Sequence, residues 1–302
     1  MTAVIVEEPP AKSAAFTKDG RIRENAKEAL VGQIERELSI LLEDFNSAPS
    51  RAGMFEVGTV AEVVILGRDL PSGQRLARLI GKAGRRWMDR GLFEDVCFSE
   101  AQLMYHTMLL FQLTGQVPCD ILQALSDKGM IGRSEWPVLT QLCIATMLNQ
   151  SGVQLPLPET ETADLTACID KRCLRAQSGE YDLALLLTTA QLLQDRQIAR
   201  LRPSLLTGVP RILPRVLLVQ ALRAGNWNWV SVLSFLCRRS FGLPDYLDQA
   251  LRCALSEIPA TSENFDLPKD ICEQSEHFSR SVRALRLRGT AALAMYMDCC
   301  QE

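Results

Sequence analysis

The sequence predicts an all-α fold, an irregular array of antiparallel helix pairs, with a closed αα toroid as the alternative arrangement. Three observations carry this expectation. Apolar residues recur every three or four positions along most of the chain, period-two runs are scarce, and glycine or proline falls between the periodic segments. Helices joined by short turns, without strands to cover, bury their apolar stripes against one another.

Residues 1–18 are rich in proline, alanine and acid and read as a disordered tail. Residues 19–302 read as one helical domain. Over 22–45 the series Ala26, Leu30, Ile34, Leu38, Leu41 and Phe45 gives an amphipathic helix, and 46–53 a loop. Residues 55–66 carry Val57, Val60, Val63, Val64 and Ile65, which also suit a strand, but no partner strand is near and a helix is expected. A turn over 67–73 leads to a helix over 73–90, with Ser72 as its cap.

Residues 98–116 form the next helix, opened by Ser99 and stopped by Gly115. It is apolar nearly all round, so it belongs in the interior. Further helices are expected at 118–125, 134–148, 163–177, 181–193, 198–206, 214–224, 227–240, 246–257 and 276–297. The stretch 149–161, NQSGVQLPLPETE, is the longest loop and the strongest linker candidate. No fixed repeat period emerges.

Composition narrows the function classes. Hydrophobic residues make up 47% and charged residues 23% of 302, a globular balance with enough apolar material for a sizeable core. The longest apolar run, over 183–193, is well short of the roughly 20 residues of a membrane helix. The amino terminus lacks the basic start and long apolar run of a signal peptide. Ten cysteines, mostly in helical apolar patterns, then read as small buried hydrophobes, and the expected location is the cytoplasm. A net charge of −3 gives no global electrostatic argument for nucleic acid or an anionic membrane, and neither is expected as a partner.

The candidate site lies on the apolar helix over 98–116, where Tyr105, His106 and Thr107 interrupt the hydrophobic pattern. A buried imidazole there could act as acid or base, with Gln102 one turn before it; equally, it could be a core histidine satisfied by a backbone carbonyl or by Gln102. A basic series, Arg75, Arg78, Lys82, Arg85 and Arg86, falls along one edge of the helix over 73–90. It could hold a phosphorylated or carrier-tethered substrate or dock an acidic partner, or be an ordinary solvated face. Arg280, Arg283, Arg286 and Arg288 suggest an ion-pair network at the start of the last helix. Trp227 and Trp229 point to different sides of a helix, one inward and one towards a possible partner surface. His277, beside Glu273 and Glu276, reads as a solvated surface group.

Absent patterns sort the alternatives. Lys82 follows Gly81, but the upstream glycine and the hydroxyl of a phosphate loop are missing, as are GxGxxG, HExxH and GxSxG. Cys168 with Cys173, and Cys299 with Cys300, lack zinc-site spacing, and Glu159, Glu161 and Asp164 have no second acidic motif to complete a magnesium site. No cofactor and no metal are therefore expected.

The run YHTMLLFQLTGQ over 105–116 resembles a degenerate form of a histidine-threonine, aromatic, Thr-Asp-Phe-Gly motif in an uncharacterised all-helical family of similar length, found beside natural-product biosynthesis genes. His106 and Thr107 match the opening pair and Thr114 the later threonine, whereas Gly115 and Gln116 stand where the motif has Asp-Phe-Gly. The resemblance implies a tailoring or accessory protein of specialised metabolism, binding a small-molecule or carrier-tethered substrate between helices, with His106 as acid-base candidate. The rival expectation is a non-catalytic helical scaffold for a protein partner.

Overall fold

The computed structural model describes residues 14–91, 101–116, 212–258 and 282–301, together with Leu187 and Ala190. Among them are eight α-helices: α1 (Glu24–Ser47), α2 (Arg51–Val64), α3 (Pro71–Asp89), α4 (Ala101–Thr114), α5 (Ile212–Ala224), α6 (Trp227–Leu236), α7 (Asp245–Leu255) and α8 (Val282–Cys299). A π-helical turn, Cys237–Phe241, extends α6. The described residues contain no strand beyond an isolated bridge between Phe16 and Ile22. The fold is all-α.

The helices expected at 118–125, 134–148, 163–177 and 198–206, and the loop over 149–161, lie outside the described residues. Of 181–193 only Leu187 and Ala190 are described, both helical and buried.

The starts of α2 and α3 both come earlier than expected. The loop between α1 and α2 shrinks to residues 48–50, because the Ser50 hydroxyl accepts the Gly53 N–H at 3.1 Å and starts α2 early. The β-branched run of α2 is helical because Val57, Val60, Val63 and Val64 are all taken into the core. Helix α3 opens at Pro71, and Ser72 lies inside it instead of capping it. The capping oxygen comes from 226 residues away: Asp298 Oδ2 accepts the Ser72 N–H at 2.7 Å.

The amino-terminal tail also ends sooner than expected. Ala15 and Phe16 are buried, and the Phe16 ring lies 6.0 Å from that of Tyr296. Residues 1–13 lie outside the described part.

Helix α8 is the centre of the described structure. Every residue from Leu287 to Cys299 is buried, and the helix packs against α1, α2, α3 and α6. Gly289, Ala291, Ala292 and Ala294 keep its surface low enough for helices to approach from several sides. The arginines at its start divide into two environments. Arg283 pairs with Asp44 at 2.8 Å, whereas Arg288 is 0% exposed and donates to Asn228 Oδ1 at 3.4 Å. Arg280 is outside the described residues.

Helix α4 is interior, as its all-round apolar character requires: Leu103 to Phe111 are buried without a break. It packs on α2 and α3. The α3 contact depends on two glycines, since a Cβ on Gly81 would lie 2.4 Å from the Leu113 carbonyl oxygen and one on Gly84 2.8 Å from Thr114 Cγ2.

Candidate functional site

The α2 and α4 helices together place a carboxylate and an imidazole in the core. In α2, Glu62 is the one charge in the stretch over 57–67, VGTVAEVVILG, and the burial of the valines around it carries it inward. In α4, His106 sits within the fully buried series. His106 Nε2 and Glu62 Oε1 are 3.1 Å apart, with His106 0% and Glu62 1% exposed. At this distance the two side chains are hydrogen-bonded, and the carboxyl group fixes the orientation of the ring.

The surroundings hold the imidazole on its remaining sides. The Phe55 ring meets it edge-on, centroids 5.6 Å apart at 84°, and the Tyr105 ring lies 5.6 Å away at 44°. A Cβ added at Gly58 would come within 2.1 Å of His106 Cγ and 2.3 Å of Nδ1, so this edge of the ring lies directly on the α2 backbone. Nε2 is engaged by Glu62 and the opposite edge is set against Gly58, and the imidazole is closed to solvent.

The neighbouring candidates are also committed. The Thr107 hydroxyl donates to the Leu103 carbonyl at 2.8 Å, within its own helix. The Tyr105 side chain is buried. The Gln102 side chain and Ser99 lie outside what is described, so the partner found for His106 is Glu62, which the sequence reading did not name. Its signal was present as a lone acid in an apolar, β-branched stretch.

The basic series on α3 separates into two groups. Arg75 makes a bidentate contact with Glu35, at 2.9 and 2.7 Å, and a third bond to Glu28 at 2.8 Å, which together hold its guanidinium protonated well above the ordinary arginine range. Arg85 donates to the Thr114 carbonyl at 2.7 Å, at the carboxyl end of α4. These two tie α3 to α1 and α4. Arg78, Lys82 and Arg86 are exposed, and none has a carboxylate partner among the described residues.

Trp227 and Trp229 both turn towards the protein. Trp229 is buried, and Trp227 is half-buried and packed on the core. The local cause is a capped helix start, in which the Asn226 side chain accepts the Trp229 N–H at 3.2 Å. His277 lies outside the described residues.

Two further buried polar clusters escaped the sequence reading. Lys27, Asp298 and Ser72 join α1, α8 and α3, with Lys27 Nζ 3.4 Å from Asp298 Oδ1 and 2.7 Å from Gln301 Oε1. Tyr296 donates to Asp248 Oδ1 at 2.5 Å, and Arg252 to Asp248 Oδ2 at 2.5 Å. Among the described residues, no three His, Cys, Asp or Glu side chains converge as metal ligands, and no helix is long and apolar enough to cross a membrane.

No family model, curated protein or solved structure matches the chain. The chemistry of the site is therefore read from its own geometry.

Proposed function

We propose that the protein is a helical interaction module in which the His106–Glu62 pair fastens α2 to α4 and does not handle a substrate. The observation that carries this reading is the closure of the imidazole, held at 3.1 Å by Glu62 on one edge and seated on Gly58 along the other. A general base needs its free nitrogen within hydrogen-bond reach of the proton it takes. An irregular array of antiparallel pairs is favoured over a toroid by a separate feature: among the described residues, α8 is buried between α1, α2, α3 and α6.

A second reading is favoured by one specific fact: a carboxylate and an imidazole are both fully buried, and burying such a pair is a poor route to stability. In this reading the protein is the accessory or tailoring protein of specialised metabolism, with α2 and α4 parting to admit a small or carrier-tethered substrate to His106. Native mass spectrometry of the wild-type protein purified from its own host separates the two. The interaction-module reading predicts no retained small molecule, whether or not a partner protein co-purifies. A retained small molecule that slows amide exchange over residues 103–110 would overturn it and establish the substrate reading.

A further inference from the structure

We propose that the exposed row Arg78, Lys82 and Arg86 on α3 docks an acidic helical segment of a partner protein; this names the partner of the interaction module and rests on that reading.

The row arises from spacing. Positions four residues apart lie one above another on a helix, so these three cations form a strip about 12 Å long, at 1.5 Å per residue. On either side the strip is fastened down. Arg75 is held by Glu28 and Glu35 of α1, Arg90 by Asn46, and Arg85 by the end of α4. Behind it, Leu76, Ile80 and Trp87 are buried, and Gly81 and Gly84 bring α3 against α4. The helix is thus rigidly mounted and presents its cations to solvent. Asp89, exposed at the carboxyl end of the same face, is the one acidic residue of α3.

Charge complementarity selects the occupant. An acidic helix with carboxylates at the same four-residue interval matches the row ion for ion. A nucleic acid fits less well, because a strip about 12 Å long meets few phosphates and the chain as a whole carries a net charge of −3. An anionic membrane fits less well again. The large exposed hydrophobics of the described residues are Ile40, Val216, Tyr246 and Val282, and none lies on α3 to insert beside the cations.

The test uses fluorescence anisotropy on the full chain. The probe is a labelled helical peptide of about 20 residues, long enough to hold a helix, with glutamates at four-residue spacing. Single-stranded DNA of similar length and phosphatidylserine vesicles serve as competing probes. The expected result is that the peptide binds, that Lys82→Glu with Arg86→Glu weakens it about tenfold or more, and that raising salt weakens it further. The control Arg223→Glu, an exposed arginine in the last turn of α5, leaves the affinity unchanged. Absence of peptide binding at low salt, an equal loss in the Arg223 variant, or tighter binding of DNA or vesicles would each overturn the proposal. Such a failure leaves the module reading standing, since that depends on the closure of His106. A ligand retained at His106 would remove the module reading while leaving the α3 affinity as measured.

Discussion

At His106 the ring and the α2 backbone are in such close contact that one hydrogen atom at position 58 decides the packing. Gly58→Ala would place a methyl group 2.1 Å from His106 Cγ, so α2 and α4 must separate or the ring must leave Glu62. A loss of about 1–3 kcal/mol is expected from the overpacking. Gly32→Ala in α1 has the opposite sign: its nearest neighbour would be Arg36 Nη1 at 3.7 Å, and relief of glycine's helix penalty should give about 0.5–1 kcal/mol. Denaturant melts of the two variants check both. The pair itself can be dissected in the same way. Glu62→Leu or His106→Leu alone strands a buried polar partner and should cost about 3–5 kcal/mol, whereas the double variant recovers a large part of that loss. Two independent costs that simply add would show that the two residues do not act as a unit. The sequence disclosed His106 as a polar interruption of an apolar helix, yet its partner was out of reach. Glu62 lies 44 residues away, and no local pattern says which helix faces which.

The elements divide by whether their ends are fixed locally. Helix α2 is capped by Ser50 and α6 by Asn226, each within three residues, and such starts can be read from sequence once the turn is found. Helix α3 has no side-chain cap of its own and borrows Asp298 from the end of α8. Asp298→Ala should release the α3 amino terminus and leave the buried Lys27 ammonium with only Gln301 and the exposed Glu24 carboxylate as partners, a loss of about 1–3 kcal/mol. Hydrogen exchange should then accelerate first at the Ser72 amide. Unchanged exchange there would show that the cap is not what starts the helix. The same long reach explains why Ser72 reads as a cap in the sequence but lies inside the helix in the structure. Helix α8 shows the same limit: its arginines read as an ion-pair network, and Arg283 does pair with Asp44, but no local pattern marked it as the helix around which the described helices pack.

For the molecule as a whole, the all-α class was legible because periodicity is local, while the order of burial was not, because it depends on contacts across most of the chain. That core also sets the response to alkali. Burial foremost raises Tyr296, whose hydroxyl is further held by Asp248 and lies near Cys300; burial likewise pushes Cys237 up to about 12 and Cys300 to about 11. Each group keeps its proton more tightly in the folded chain than in the unfolded one. Their contribution to stability is therefore complete below about pH 8 and is lost as pH rises from the unfolded values of thiol and phenol towards the folded ones. Thermal melts between about pH 8 and 11 should show this decline, and a flat profile would contradict the burial of these groups. The central claim, that His106 is closed to other molecules, is tested most directly by its acylation with diethylpyrocarbonate, located by peptide mass spectrometry. The account predicts that His106 in the native chain is modified only as fast as the protein unfolds, far slower than in the urea-unfolded chain. Modification of the native protein at a rate near that of the unfolded chain would contradict it and return His106 to the candidates for catalysis.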